Sequence, residues 1–322
     1  MKALVLGASG FIGSHLTERL VSEGVDVRAL VRSGSDTSYL ETLGVERFTG
    51  DLEERESMEP AVSGCDVVFH LAAARGAGGV GHSGRHASDI EGTEQLALAV
   101  AREGARFVFA SSRGVHGAVR GTIDEQTPLA PNTFYRHSKV EAERRLAALA
   151  ASGSLRLIVL RVPSVIGSRA RSWLGLYRAI GRGGFRMMGS GRNRIHPCPV
   201  EDVTQAFVLA ARAPGSGGET FTIGGREVIR VRDFLESIGS ALGVTLSRVR
   251  LPATPYRAAQ AVRQTVDRAL GRPVRLSSYE MFLTSYEIDF SKARRELGYD
   301  PKGSLDEAIR QTADWYRSEG LL

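Results

Sequence analysis

The sequence predicts an α/β fold in which a doubly wound parallel sheet is followed by a smaller C-terminal unit. Three observations carry this. Short β-branched runs alternate with longer helical patterns through the first half; a glycine triplet sits between the first strand and the first helix; and after Val162 the alternation gives way to a Gly- and Arg-rich stretch followed mainly by helices. The chain has 322 residues, 42% of them hydrophobic. That is enough for two compact units with a real core.

In chain order, the candidate strands are Ala3 to Leu6, Asp26 to Val31, Val45 to Phe48, Asp66 to Leu71, Arg106 to Ala110 and Leu155 to Leu160. Each reads as nearly apolar along its length, the pattern of a strand buried on both faces. Between them lie helical patterns at Phe11 to Ser22, Ser57 to Val62, Ile90 to Arg102 and Tyr135 to Ala150. Strand and helix in alternation build parallel sheets by right-handed crossovers, and ligands then bind at the carboxyl ends of the strands. Beyond Val162 a helix is expected at Trp173 to Ile180, then Val200 to Ala213 as a helix returning to the main body. A strand follows at Glu219 to Ile223, with helices at Val231 to Leu242, Pro255 to Leu270, Phe290 to Leu297 and Leu305 to Tyr316. The glycine-rich loop Arg75 to Arg85 has no periodicity and reads equally well as a lid or as a connection.

The charge balance is 42 Lys+Arg against 36 Asp+Glu, and only four of the cations are lysines. Nine arginines and no acid or lysine fall between Ala151 and Val200, so that stretch alone is strongly positive. A nucleic-acid coat needs basic residues over the whole domain, so no nucleic-acid partner is expected, and a local region facing an anionic small molecule fits better. Cys65 and Cys198 have neither disulfide nor metal-site spacing, so no metal is expected and the setting reads as reducing and cytoplasmic. The N-terminal run MKALVLGASGFIGSHL is too short in apolar length for a signal peptide, and no stretch is long enough to span a membrane.

The candidate chemistry begins at Gly7, Gly10, Phe11, Ile12 and Gly13, a GxxGxxG turn between strand and helix. Glycine lets the backbone approach a pyrophosphate, and the helix presents free N–H groups and its positive end to the anion. The second strand should end near the adenosine ribose. Where a carboxylate would accept the ribose hydroxyls of NAD, the chain has Arg32, a residue suited to the 2′-phosphate of NADP. Tyr135 and Lys139 form a Tyr-x-x-x-Lys pair on one helix face, so that the ammonium can lie near the phenol and lower its pKa. Ser112 ends the fifth strand and is placed to hold a substrate oxygen while Tyr135 transfers the proton.

On these residues the chain resembles the extended short-chain dehydrogenase/reductases, the NAD-dependent epimerase/dehydratase family. The matching segments also include Gly50-Asp51-Leu52, Val68 to Ala73, Gly92-Thr93, Phe107 to Gly117, Leu160 to Gly167, Val200 to Val203 and Lys292 to Tyr299. The resemblance implies a Rossmann-type dinucleotide-binding domain over residues 1–165, with 200–215 returning to it, and a mostly substrate-binding domain over 166–322. It implies that Asp51 contacts adenine, with Leu52 beside it, that Leu71, Ala72 and Ala73 line the dinucleotide, and that Lys139 also holds the nicotinamide ribose. The cofactor is then NAD or NADP, with NADP favoured by Arg32, and a homodimer is the assembly common in the family.

The departures are specific. Asp89 and His116 stand where the family commonly has Asn and Tyr, and Ser164 stands where many nucleotide-sugar enzymes have Asn. No acid follows Ser112, so the pair that performs elimination in sugar dehydratases is missing. The expected function is an NAD(P)-dependent oxidoreductase or epimerase exchanging hydride at a carbinol or ketone carbon. A nucleotide-sugar-like anionic substrate is read from seven arginines, Arg169 to Arg194, with Ser164, Arg192 and His196 as candidate contacts. The alternative is an NADPH-dependent reductase of a neutral ketone, similar to the hydroxysteroid and dihydroflavonol reductases. A redox-sensing binding protein is a third reading. His137 is read as a packing or surface residue, Asp202 as helix-end electrostatics, and Trp173, Met187 and Met188 as packing.

Overall fold

The computed structural model describes residues 1–72, 83–215, 217–247, 249–255, 258–259, 262, 265–266 and 284–322. Ala73, most of the loop Arg75 to Arg85 and much of the expected helix Pro255 to Leu270 lie outside the described residues. Seven strands form one sheet: β1 (Lys2–Leu6), β2 (Asp26–Val31), β3 (Glu46–Thr49), β4 (Val67–His70), β5 (Arg106–Ser112), β6 (Arg156–Val162) and β7 (Glu219–Thr222). Their order is β7-β6-β5-β4-β1-β2-β3 and every pairing is parallel. The order reverses between β1 and β4, where Ala3 pairs with Val67 and Leu6 with His70. The carboxyl ends of those two strands therefore open the crevice in which such sheets bind ligands.

The helices include α1 (Phe11–Ser22), α2 (Ser38–Thr42), α3 (Arg55–Val62), α4 (Ser83–Glu103), α5 (Phe134–Ala151), α6 (Leu174–Gly181), α7 (Val200–Arg212), α8 (Val231–Leu242), α9 (Ser291–Leu297) and α10 (Leu305–Ser318). Strand side chains alternate between two cores, as the period of two requires. Ala3 and Val5 of β1 join Leu16 and Leu20 of α1, Phe207 of α7 and Leu297 of α9 on one face. Leu4 and Leu6 join Val62 of α3, Val100 of α4 and Leu146 of α5 on the other. A third, separate core gathers Trp173, Tyr177, Phe234, Ile238, Ile309 and Tyr316 from the C-terminal half. The strand at 219–222 thus extends the main sheet beside β6, and α9 packs under it, with Lys292 Nζ donating to the Thr220 carbonyl at 2.9 Å.

One strand departs from the sequence expectation. β3 is not apolar on both faces: Glu46, Arg47 and Thr49 are exposed, because among the described residues it is the last strand of the sheet and pairs only with β2. Glu46 instead holds Arg28 of β2 at 2.9 Å and Lys2 of β1 at 3.1 Å across the outer surface. Among the described residues no helix is long and apolar enough to cross a membrane.

Candidate active site

The turn from β1 into α1 is built by its glycines. Gly7 adopts a left-handed φ of +83°, and a Cβ there would stand 2.9 Å from the Ala72 amide nitrogen. A Cβ on Gly13 would stand 2.0 Å from the Gly7 carbonyl oxygen, so α1 reaches the turn only because residue 13 lacks one. Gly10, the residue before α1, supplies no side-chain cap, leaving the first helical amides and the positive helix end to an anion. Phe11 and Ile12 are half-buried over the same turn. These features fit a dinucleotide pyrophosphate.

The neighbouring strand ends complete the cleft. Leu71 donates its amide to Leu6 at 3.0 Å, placing Leu71 and Ala72 against Gly7. Leu52 packs under Gly92 of α4, where a Cβ would stand 2.4 Å from the Leu52 carbonyl oxygen. Asp51, half-buried, accepts the Glu53 amide at 3.2 Å. Arg32 stands exposed just beyond the end of β2.

Ser112 ends β5 and caps the turn that follows, its Oγ accepting the Gly114 amide at 3.0 Å. That bond uses a lone pair and leaves the hydroxyl proton to donate. α5 begins one residue after Thr133, whose Oγ1 accepts the Arg136 amide at 3.2 Å, and this cap sets Tyr135 in the first turn. Tyr135 and Lys139 then share a small cavity of about 20 Å³ with Asp89, His70, Thr93 and Ser138. Lys139 Nζ donates to the Ala110 carbonyl at 2.9 Å and lies 4.5 Å from the Phe109 ring centre.

The electrostatics differ from the expectation that Lys139 lowers the Tyr135 pKa. Burial pushes the phenol up, against a smaller opposing effect of Arg136, and the ammonium is 6.0 Å from its ring centre, with one of its three hydrogens bonded to β5. Lys139 itself is lowered to about 8 by burial, opposed by Asp89 and Glu143. Tyr135 is therefore a protonated phenol at neutral pH.

Behind Ser112 lies a buried network that the sequence reading missed. Glu143 accepts from Ser111 Oγ and from Arg161 Nη2 at 2.8 Å, with both charged side chains 8% exposed. Arg161 Nη1 reaches the Glu125 carbonyl at 3.2 Å, and Glu125 in turn accepts the Thr222 amide at 2.6 Å. The signal was present: Glu143 stands four residues beyond Lys139, one further helical step along the face that carries Tyr135 and Lys139. His116, in place of the family's common Tyr, is buried beside Arg161 and held below its usual pKa, chiefly by burial.

The expected substrate contacts fare differently. His196 does not line an open cleft: it is 2% exposed, its Nε2 is 2.7 Å from the Gly225 carbonyl and its Nδ1 accepts the Ile288 amide at 2.9 Å. A neutral ring with the proton on Nε2 satisfies both contacts, and burial holds its pKa down. Arg192 is exposed. Ser164 is half-buried and its carbonyl accepts the Cys198 amide at 2.9 Å. Three of the seven arginines are held apart from one another. Arg169, at a left-handed φ of 68°, pairs with Glu18 at 2.7 Å and stacks on Tyr39; Arg178 bonds the Leu321 carbonyl; and Arg194 pairs with Glu287 at 3.4 Å.

Other readings are placed by their contacts. His137 is exposed, and Trp173 is buried with its Nε1 donating to the Val165 carbonyl at 2.7 Å. Met187 is buried and Met188 half-buried. Asp202 is buried and clamps the chain before α10, accepting the Lys302 and Gly303 amides at 2.9 and 3.0 Å. Both cysteines are buried thiols. A cavity of about 820 Å³ lies elsewhere, between the outer face of α1 and residues including Ser168, Arg169, Trp315 and Glu319.

A doubly wound sheet with a glycine cradle at its switch point, and with a Tyr/Lys pair beside a strand-end serine, defines a nicotinamide-dinucleotide enzyme. The chain belongs to the NAD dependent epimerase/dehydratase family, whose model matches residues 3–224. It is accordingly an NAD(P)-dependent oxidoreductase or epimerase. It is 32% identical over 309 residues to a 4-hydroxy-2-methyl-3-oxo-4-farnesyl-3,4-dihydroquinoline-1-oxide ketoreductase of Stigmatella aurantiaca, covering 93% of this chain and 92% of the relative. It is 29% identical to a 2-alkyl-3-oxoalkanoate reductase of Stenotrophomonas maltophilia, covering 97% and 98%. Its fold is similar to that of the Bacillus cereus UDP-glucuronic acid 4-epimerase in complex with NAD, with a TM-score of 0.79, 22% identity and 99% of each chain covered.

Proposed function

We propose that the protein is an NADPH-dependent ketone reductase whose substrate is not a nucleotide sugar. The observation that carries this is Tyr135, a phenol protonated at neutral pH and raised further by burial, on the helix whose Lys139 is bonded to the strand that ends in Ser112, which suits donation of a proton to a ketone oxygen as it is reduced. When bound, the dinucleotide supplies hydride to the carbonyl carbon. The Ser112 hydroxyl donates a hydrogen bond to the substrate oxygen, and Tyr135 Oη transfers its proton to that oxygen. Lys139, fixed on the Ala110 carbonyl, supports the phenolate that remains.

Three further points support a ketone reductase over the nucleotide-sugar reading. Three of the arginines expected to meet a diphosphate, Arg169, Arg194 and Arg178, are held instead by Glu18, Glu287 and the Leu321 carbonyl. Ser164 replaces the Asn of many nucleotide-sugar enzymes. The relatives above with the highest identities are named as reductases of ketones.

Arg32, exposed beyond β2, is assigned to the 2′-phosphate of NADP. Arg32→Asp is expected to lower the NADPH-over-NADH preference in kcat/KM by about tenfold to a hundredfold, the scale of one charge-assisted hydrogen bond of about 1.5–3 kcal/mol. An unchanged preference ends that assignment. Residues 1–165 with α7 are proposed as the dinucleotide-binding part and the remainder as mostly substrate-binding.

A further inference from the structure

We propose that Arg113 is a specificity-determining residue of this site, its guanidinium holding a carboxylate carried by the ketone substrate. The inference rests on the ketone-reductase reading and deepens it by naming the substrate class, an oxo acid. Arg113 follows Ser112 directly, at the carboxyl end of β5, the edge at which a doubly wound sheet meets its ligands. The turn it opens, Arg113–His116, lies against α5: a Cβ on Gly114 would stand 3.2 Å from Ser112 Oγ and 3.0 Å from Arg136 Nε. The turn therefore sits in the corner between the strand end that carries Ser112 and the helix that carries Tyr135.

From this corner the side chain crosses to the C-terminal half. Its Cζ stands 4.2 Å over the ring centre of Tyr286, which is 3% exposed, opens the short strand Tyr286–Ile288 and belongs to the third core. A ring held in this way fixes the guanidinium between the two halves of the molecule, where a substrate resting on Ser112 extends toward the proposed substrate-binding part. The ring face attracts the charge without neutralising it. Among the described residues the Arg113 side chain has no carboxylate partner and no hydrogen-bond acceptor. In this it differs from Arg161, Arg169 and Arg194, which rest on Glu143, Glu18 and Glu287. Arg136, the second guanidinium of the corner, is buried and already donates to Asn132 Oδ1 at 2.5 Å. Arg113 is thus a half-buried cation with its charge and its N–H fork unspent, and that fork matches a carboxylate bidentately. One guanidinium balances one charge, so it suits a single carboxylate and not a diphosphate.

The test compares an acid with its own methyl ester, which removes the charge and keeps the ketone. With NADPH, kcat/KM for 3-oxohexanoate is expected to exceed that for methyl 3-oxohexanoate by about tenfold to a hundredfold, the scale of one charge-assisted hydrogen bond. In Arg113→Gln that preference is expected to vanish, and in Arg113→Lys, which keeps the charge and loses the fork, to fall part of the way. A ratio measured on one preparation withstands a variant that folds poorly, since unfolded protein lowers both rates alike. Calorimetric titration of the NADPH-loaded full-length protein with 3-hydroxyhexanoate and with its methyl ester reads the same preference without turnover. Tighter binding of the acid, lost in Arg113→Gln, supports the proposal even where neither ketone is reduced, and in that case it is the reductase reading that fails. Equal treatment of acid and ester by the wild type overturns the proposal, as does an acid preference that survives in Arg113→Gln. Turnover of both ketones then leaves the reductase reading standing.

Discussion

Replacing Tyr135 by phenylalanine is expected to lower turnover by about 10²- to 10⁴-fold, the range of general acid catalysis, while leaving dinucleotide affinity nearly unchanged. The substitution removes one oxygen. The helix start is fixed by Thr133 and the ammonium of Lys139 is fixed on the Ala110 carbonyl, so neither depends on the phenol. The pyrophosphate cradle at Gly7, Gly10 and Gly13 is built by β1, α1 and Ala72, apart from α5. Steady-state kinetics on a ketone substrate together with a calorimetric titration of the dinucleotide separates the two effects. Unchanged turnover removes Tyr135 from the chemistry, and an equal loss in binding and turnover makes its role structural.

The second large effect is on stability. Glu143→Ala is expected to lower the unfolding free energy by about 3–5 kcal/mol, because it leaves Arg161 buried without its partner. The pair is 2.8 Å apart with both side chains 8% exposed, and Ser111 also loses its acceptor. This network joins α5 to β5 and β6 immediately behind Ser112, so its loss also loosens the serine. Chemical denaturation measures the change. A loss below about 1 kcal/mol, the value typical of an exposed pair, contradicts the burial argument.

Local pattern reached much of this structure. α1 and α8 fall at Phe11–Ser22 and Val231–Leu242 as the periodicity reads them, and β2 at Asp26–Val31 likewise. The glycine turn was legible because close approach of backbone to backbone tolerates no Cβ at residues 7 and 13. What failed were inferences needing the third dimension. Arg169 and Arg194, close in sequence, diverge because Arg169 turns back to α1 and Tyr39, while Arg194 faces Glu287 beside a different strand. His196, read as a substrate contact, is consumed by the Gly225 carbonyl and the Ile288 amide, partners 29 and 92 positions away. The Tyr135 pKa was read from its spacing to Lys139 alone, and desolvation outweighs that spacing. Glu125 and Thr222, 97 positions apart, meet only because β7 lies beside β6.

The central claim is net hydride transfer to a ketone, with a proton from Tyr135. Its most direct test is turnover of a secondary ketone with NADPH deuterated at the nicotinamide C4 position. The expected result is NADPH consumed in proportion to alcohol formed, with one deuterium on the new carbinol carbon, and the same labelled alcohol formed about 10²- to 10⁴-fold more slowly in Tyr135→Phe. Conversion of a nucleotide sugar to its epimer with no net change in the dinucleotide, and no deuterium in any ketone-derived alcohol, contradicts it.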